Sequence, residues 1–331
     1  MVVAGAIVEP GREGDSNMYD IIIAGGGPAG LSAALILGRA RKRVLLCDAG
    51  PPRNARAHAI HGFVTRDGTS PTEFRRVARE QLAPYTSVEL SGAFVEDVAG
   101  EPDALDVHLG DGSVRARRVL VCTGMIDELP ELPGYRELWG ESIFQCPFCH
   151  GWEAQDRGFG LLVAAPQWLE MAPFLRAWTD DLVVFTDAKF PVPEDVRARL
   201  VSAGIGVEER PITRLIADGP RLAAIELAGG DRVTRDILFA RPPQRQTALV
   251  TRLGLGLDES GYVRVDARAQ TSRPGVLAAG DLTTMMQGAL VAASAGTMAA
   301  YALAHTLTLG HAPAPALTPE RAAAASARPP A

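Results

Sequence analysis

The most reactive stretch of the chain is Gln145-Cys146-Pro147-Phe148-Cys149-His150-Gly151, near its middle. Two thiols two residues apart can close a small-loop disulfide, and so take up or release two electrons. The same spacing could be half of a zinc site. A structural tetrahedral zinc needs four ligands, however, and the other two cysteines, Cys47 and Cys122, stand alone. A structural disulfide or a pair of buried thiols is the plain alternative. His150 directly follows the second thiol. Imidazole titrates near neutrality, so this side chain can take a proton from a thiol or return one. Cys146, Cys149 and His150 form the candidate catalytic set, a redox pair with a proton shuttle.

Redox chemistry of this kind needs an electron carrier, and the N-terminal third supplies a place for one. Residues 19–24 read as a buried parallel strand, Gly25-Gly26-Gly27-Pro28-Ala29-Gly30 as a turn, and residues 31–40 as a helix. That context makes the G-x-G-x-x-G spacing meaningful. Gly25 permits a tight turn, Gly27 lets the backbone approach a pyrophosphate, and Gly30 lets helix and strand pack closely. The helix N-terminus, with Pro28 and Ala29 at its start, turns unpaired N–H groups toward phosphates. The next strand, 44–48, ends in Asp48, a carboxylate placed to accept from ribose hydroxyls. Residues 49–70 have no helical or strand period. A polar loop of that length is usually functional, and it reads as wrapping the cofactor. It holds Arg53, Asn54, His58 and His61; the histidines read as hydrogen-bonding loop residues, since no metal-ligand set is visible.

The remaining elements must position these groups. Residues 71–84 read as an amphipathic helix. Short strands follow at 88–90, 93–98, 106–109 and 114–117, with a hairpin turn at Asp111-Gly112. A separate buried strand, 118–122, is closed by Thr123-Gly124. Residues 127–140, rich in Pro, Gly and acid, read as a domain crossing. A second α/β unit then opens with a strand at 158–165, a helix at 168–178 and a strand at 181–186. Its turn, Ala164-Ala165-Pro166-Gln167-Trp168, contains no glycine, so close approach by a pyrophosphate is hindered. The segment after its next strand, Asp187-Ala188-Lys189-Phe190-Pro191, carries no arginine cluster for a 2′-phosphate. A helix at 194–203 and strands at 207–209, 213–217, 223–227 and 237–241 complete that unit. A short strand at 262–265 and another at 275–281 follow. The latter ends in Gly280-Asp281, an acid able to reach a flavin ribityl hydroxyl. The last helix covers 287–309, with Gln287, Gly288 and Ala289 at its start.

The chain has 331 residues, 33 basic and 39 acidic, for a net charge of −6. That balance gives no basic face for nucleic acid or an anionic membrane. Four cysteines in such a length do not make a secreted disulfide framework. Two uncharged stretches, 21–38 and 282–304, read as buried segments rather than membrane spans. The first is broken by glycine and proline, and the second is mostly Ala, Thr, Ser and Gly. No signal peptide is read at the N-terminus, and the expected location is cytoplasmic.

GGGPAG near the start, CxxC in the middle and AAGD near the end together resemble the low-molecular-weight thioredoxin reductase family, over residues 18–310. The resemblance implies an α/β fold of two Rossmann-like domains, each a three-layer ββα unit. An FAD domain over 18–126 and 245–310 would be split by an inserted, degenerate NAD(P)H-like domain over 127–244 that carries the CxxC. A flexible leader (1–17) and a disordered tail (311–331) would flank them. Carried over, Gly25, Gly27, Pro28, Ala29, Gly30, Asp48, Arg53, Asn54, His61, Thr123, Gly124, Gly280, Asp281, Gln287, Gly288 and Ala289 would lie near FAD. Cys149 would face the flavin, Cys146 would exchange with substrate, and the protein would be a homodimer.

Two departures stand out. The reductases have an acid after the second cysteine, where this chain has His150, and they carry the glycine turn and arginine cluster for NADPH that this chain lacks. Both departures resemble the dithiol oxidases of natural-product biosynthesis, of the gliotoxin, holomycin and romidepsin type. These keep FAD and CxxC, do not use NADPH, and pass electrons from a small dithiol to oxygen. The implied reaction is oxidation of a small-molecule dithiol with oxygen as acceptor. An NADPH- or ferredoxin-dependent reductase and a non-catalytic redox sensor are the competing expectations. Trp139, Phe144, Phe148 and Trp152 are candidates for an apolar substrate wall, or for ordinary packing.

Overall fold

Ile21, Ile22 and Ile23 are all fully buried, because β1 (Met18–Ala24) is a central strand covered on both faces. This is a computed structural model that describes residues 18–110 and 112–310. The expected leader and tail, and Asp111 of the expected hairpin, lie outside the described residues. The described chain divides into two compact units. Residues 18–53, 72–126 and 245–310 form the first, and residues 54–71 and 127–244 the second.

In the first unit, β1 leads through α1 (Pro28–Arg39) to β2 (Val44–Cys47), then α2 (Pro71–Leu82), β3 (Val88–Ser91), β4 (Val95–Glu101), β5 (Ala104–Leu109) and β6 (Gly112–Val121). The sheet runs β3-β2-β1-β6-β5-β4. β1, β2, β3 and β6 are parallel, whereas β4, β5 and the first half of β6 form an antiparallel meander. The two strands expected at 114–117 and 118–122 are one. No turn residue separates Arg117 from Arg118, and a single strand serves the meander at one end and the parallel sheet at the other. Alternation along β1 builds three layers. Ile22 and Ala24 face a cluster with Val98, Leu105 and Val107. Ile21 and Ile23 face Ala33, Ala34 and Leu37 of α1 and residues of the final helix.

The second unit begins with β7 (Ile126–Asp127) at the crossing, α3 (Tyr135–Leu138), β8 (Ile143–Phe144), α4 (Pro147–Ala154) and β9 (Phe159–Leu162). α5 (Met171–Leu175), β10 (Leu182–Phe185), α6 (Glu194–Ser202) and β11 (Ile205–Glu208) follow, then β12 (Ile212–Asp218), β13 (Arg221–Leu227), β14 (Arg232–Thr234) and β15 (Ile237–Ala240). A parallel sheet of order β11-β10-β9-β15-β8 and a three-stranded antiparallel sheet β12-β13-β14 form it. The expected helix at 168–178 is instead a 3₁₀ turn, Pro166–Glu170, followed by the single-turn α5. Pro166 starts the turn and Pro173 interrupts the run, each removing a backbone donor.

Return to the first unit is through β16 (Gln244–Arg245), α7 (Ala248–Arg252), β17 (Val276–Ala278) on β6, and α8 (Ala289–Leu309). The expected strand at 262–265 is reduced to an isolated bridge between Leu257 and Val263. α8 is long and apolar enough to cross a membrane, but Gly296 brings its inner face onto α1. A Cβ there would lie 2.0 Å from the Ala29 carbonyl oxygen.

Residues 54–71, expected with the first unit, pack with the second. Arg56 donates to the carbonyls of Arg136 (2.7 Å) and Glu137 (2.9 Å), and His58 Nε2 lies 2.8 Å from Glu141 Oε2.

Candidate active site

β8 delivers the chain to the thiols. Cys146 is the N-cap of α4, with extended backbone (φ −120°, ψ 113°), and Pro147 begins the helix with its φ already suited to it. The Cys149 N–H donates to the Cys146 carbonyl at 3.2 Å. Both are partly exposed. A hydrogen bond from the Cys149 side chain pulls the Cys146 thiol down to about 7; burial opposes this, and the N–H groups of Cys149 and Phe148 and the charge of Arg241 reinforce it. Cys47 and Cys122 are the opposite case. Both are buried strand-end thiols, and burial pushes Cys47 up to about 12 and Cys122 higher.

The His150 imidazole lies on the Phe144 ring, with centroids 4.1 Å apart and planes at 7°. Burial lowers its pKa to about 4. The charges of His61 and His58 act in the same direction, while a backbone hydrogen bond with Cys146 and the charge of Glu153 oppose it. Titration near neutrality, expected from imidazole alone, is therefore corrected: burial holds His150 as the neutral base. Its Nδ1 is buried without a hydrogen-bond partner.

The structure places His61, one of the expected cofactor residues, against the helix that carries the thiols. Its Nδ1 is 3.5 Å from Asp67 Oδ1 and its Nε2 is 3.5 Å from Glu153 Oε1. Glu153 lies on α4, one turn beyond His150. Asp67 also accepts from the Gly62 N–H at 2.8 Å, which fixes the carboxylate against the loop.

The first unit holds the glycine cradle. Gly25 has φ +113°, and a Cβ there would lie 2.4 Å from the Cys122 carbonyl oxygen. A Cβ on Gly30 would lie 1.9 Å from the Gly25 carbonyl oxygen, whereas one on Gly27 would meet nothing within 4 Å. The turn is thus tight at its base and open at its tip, above the start of α1 at Pro28 and Ala29, whose N-cap makes no side-chain bond. Such a cradle fits a dinucleotide pyrophosphate. Asp48, at the end of β2, accepts from Arg75 and from Arg79, the latter at 2.5 Å. Arg53 Nη1 donates to Asp281 Oδ2 (2.9 Å) and Gln287 Oε1 (2.7 Å). This links three of the expected cofactor residues beside Gly288 and Ala289, where α8 starts. Gly280 (φ +100°) and Gly124 (φ +66°) end β17 and β6 in turns. The Thr123 hydroxyl meets that of Thr247 at 3.0 Å. Asn54 opens the loop that joins the second unit, its carbonyl accepting from the Ala57 N–H at 3.0 Å. Among the described residues no group of three or more His, Cys, Asp or Glu could hold a metal ion.

The corresponding turn of the second unit is built differently. Ala165 is the N-cap of the 3₁₀ turn, and Pro166 removes an N–H that a phosphate would need. Arg241 lies over the Trp168 ring, 5.3 Å from its centroid. At the ends of β10 and β11 the basic groups meet acids: Lys189 pairs with Asp187 at 3.6 Å and Arg210 with Glu208 at 2.7 Å. Of the four aromatics expected near substrate, Trp139 stacks on Tyr135 and Phe144 on His150. Phe148 and Trp152, both on α4, are each 70% exposed.

Sequence reasoning missed Asp67 and Glu153 beside His61, and Arg75 and Arg79 beside Asp48. For the arginines a signal existed. They stand four apart on one helical face, after a strand ending in an acid.

Comparison with known proteins agrees with this geometry. Residues 19–296 match the model of the pyridine nucleotide-disulphide oxidoreductase family. Thioredoxin reductase tcpT of Claviceps purpurea is 32% identical over 302 residues, covering 86% of this chain and 92% of that protein. Thioredoxin reductase sirT of Leptosphaeria maculans is 31% identical over 303 residues, with the same coverages. The crystal structure of HlmI is 35% identical, with a TM-score of 0.83 over 96% of this chain and 97% of that one. The cradle, the CxxC helix and these matches together make the chain a thioredoxin reductase-like, FAD-binding member of the pyridine nucleotide-disulphide oxidoreductase family.

Proposed function

We propose that the protein oxidises a small-molecule dithiol to a disulfide through Cys146 and Cys149, with FAD as its carrier, oxygen as terminal acceptor and no use of NADPH. The balanced reaction is R(SH)₂ + O₂ → RS₂ + H₂O₂. The carrying observation is the second-unit turn. Pro166 and the absence of glycine remove the donors and space that a pyridine-nucleotide pyrophosphate requires. Electrons then enter as thiols.

The protein's side chains supply the thiol chemistry. A substrate thiolate attacks Cys146 of the closed pair, and Cys149 leaves as a thiolate. The second substrate thiol displaces Cys146, whose depressed pKa makes it a good leaving group. Neutral His150 takes up the proton released on attack. FAD, held by Gly25, Gly27, Gly30, Asp48, Asp281 and Gln287, supplies the two-electron acceptor that returns the thiol pair to the disulfide. Exposed Phe148 and Trp152 suit an apolar dithiol. The reading includes a cytoplasmic setting, in keeping with only four cysteines in 331 residues. It also includes a homodimer, which would cover exposed Leu290, Met298 and Tyr301 of α8.

Oxygen uptake tests it. Wild-type protein should consume oxygen with a small dithiol and not with NADPH, and Cys146→Ser should abolish uptake. Undiminished dithiol oxidation by Cys146→Ser would sink the scheme. The relatives' names, thioredoxin reductase, favour a reductase as the second reading, and turnover driven by NADPH would support it.

A further inference from the structure

We propose that Phe148, Phe174 and Trp178 form an aromatic shelf beside the thiol pair that selects dithiols carrying an uncharged aromatic ring. The inference rests on the dithiol reading above and narrows its substrate class. Phe174 and Trp178 come from outside the CxxC helix.

The three rings make a closed set. Phe148 lies 5.3 Å from Phe174 and 6.0 Å from Trp178, centroid to centroid, and Phe174 lies 5.2 Å from Trp178. Their planes meet at 59°, 89° and 71°, the tilted and edge-on arrangements that aromatic pairs favour. Trp178 is the anchor. It packs on the buried cluster that includes Phe159 and Leu175. A Cβ at Gly151 would stand 3.0 Å from its indole, so the missing side chain there lets the ring lie against the α4 backbone. Hydrogen bonds strap the same segment to the residues that follow α4. The Asp156 N–H donates to the Trp178 carbonyl at 2.8 Å, and the Thr179 hydroxyl donates to the Arg157 carbonyl at 2.6 Å. The shelf is therefore fixed relative to the helix that carries the thiols.

The anchored indole holds two phenyl rings at the surface, Phe148 at 70% exposure and Phe174 at 40%. Exposed apolar side chains scattered singly are ordinary, whereas rings in mutual contact at the surface mark a place where something binds. Its location says what binds. Phe148 stands between the two thiols in sequence, and its backbone N–H bonds to the Cys146 thiol. A dithiol that attacks Cys146 arrives beside this shelf. Local charge narrows the class further. Arg176, between Phe174 and Trp178 in sequence, pairs with Asp180 at 2.9 Å and donates to the Thr179 and Asp180 carbonyls. Its charge is matched within its own turn, so the shelf offers rings rather than a cation and suits a neutral ring better than a carboxylate or phosphate.

The test compares two dithiols on the FAD-loaded protein without oxygen: 1,2-benzenedimethanethiol, which has a ring, and dithiothreitol, which has none. Bleaching of the flavin band reads the rate with each. Phe174→Leu and Phe148→Leu each remove a ring and keep an apolar side chain. In both, the rate with the aromatic dithiol relative to dithiothreitol should fall roughly threefold to tenfold, the size of a lost aromatic pair. The intrinsic reactivities of the two reagents cancel in that comparison. The loss should appear as a higher half-saturating concentration of the aromatic dithiol, not as a lower limiting rate. Unfolding midpoints establish that the variants are folded. A second arm needs no turnover: o-xylene, which has the ring and no thiol, should give a saturation-transfer NMR signal with the wild type that falls in Phe174→Leu. An unchanged rate ratio in the folded variants, or an equal o-xylene signal in both proteins, would overturn the proposal. So would a reduced thioredoxin that outpaces both small dithiols and loses its advantage in Phe174→Leu, since the shelf would then serve a protein. Bleaching of the wild type by neither small dithiol would count against the oxidase reading, and the o-xylene arm would still decide the shelf.

Discussion

Phe144 and His150 stack almost parallel, 4.1 Å between centroids, with the aromatic ring on the strand that leads to the thiols and the imidazole on the helix that carries them. Strand end and helix start are therefore coupled through one face-to-face contact. The stack covers the imidazole and contributes to the burial that keeps it neutral. Phe144→Ala should let water reach the ring and raise its pKa from about 4 toward the ordinary 6.5. An NMR titration of the histidine ring protons would read the shift. An unchanged value would mean that burial by Phe144 is not the cause.

Cys146 should behave as the reactive thiol. Its alkylation rate by iodoacetamide should rise with pH and reach half its maximum near pH 7, because only the thiolate reacts. Cys149→Ala removes the largest cause of the depression, so the midpoint should move up toward the usual thiol range. Buried Cys47 and Cys122 should stay unlabelled in folded protein. Identical midpoints in the wild type and Cys149→Ala would contradict the hydrogen bond.

Asp48 should hold the adenosine end of FAD. Asp48→Ala should weaken FAD retention by roughly tenfold or more, since hydrogen bonds to charged groups contribute about 1.5–3 kcal/mol. Arg75→Ala and Arg79→Ala should weaken it less, because each leaves Asp48 one guanidinium partner. Equilibrium dialysis of flavin measures both. Full retention by Asp48→Ala would remove it from the site.

Helix contact in the first unit depends on Gly296. A methyl group there meets the Ala29 carbonyl oxygen, a backbone atom that cannot swing aside. Gly296→Ala should destabilise the protein by about 1–3 kcal/mol through overpacking. Chemical denaturation would show it, and a wild-type midpoint would contradict the close approach.

What was legible in the sequence was what local chemistry dictates. The glycine cradle announced itself because each glycine has its own steric reason, and β1 and β2 were visible as apolar runs. Helix α4 was not read, although Pro147 after an N-cap residue was a usable sign. The 3₁₀ turn at 166–170 and the short helix after it imitate one longer helix in the sequence, because their aromatic and apolar spacing is helical despite Pro166 and Pro173. The long strand β6 was cut in two by its charged residues. Long-range placement was the real gap. Nothing local to His61 predicts Glu153 as its neighbour, and the packing of residues 54–71 with the second unit depends on Arg56 and His58 finding partners about 80 residues away. The neutral His150 was likewise invisible, since its state comes from burial on Phe144 rather than from its own chemistry.

The most direct test is anaerobic reduction of the FAD-loaded protein, followed by bleaching of the flavin band, with NADPH in one experiment and a small dithiol in the other. The account predicts rapid bleaching by dithiol, dependent on Cys146 and Cys149, and none by NADPH. Rapid bleaching by NADPH would contradict it, showing that Pro166 and Trp168 do not close the second unit to a pyridine nucleotide.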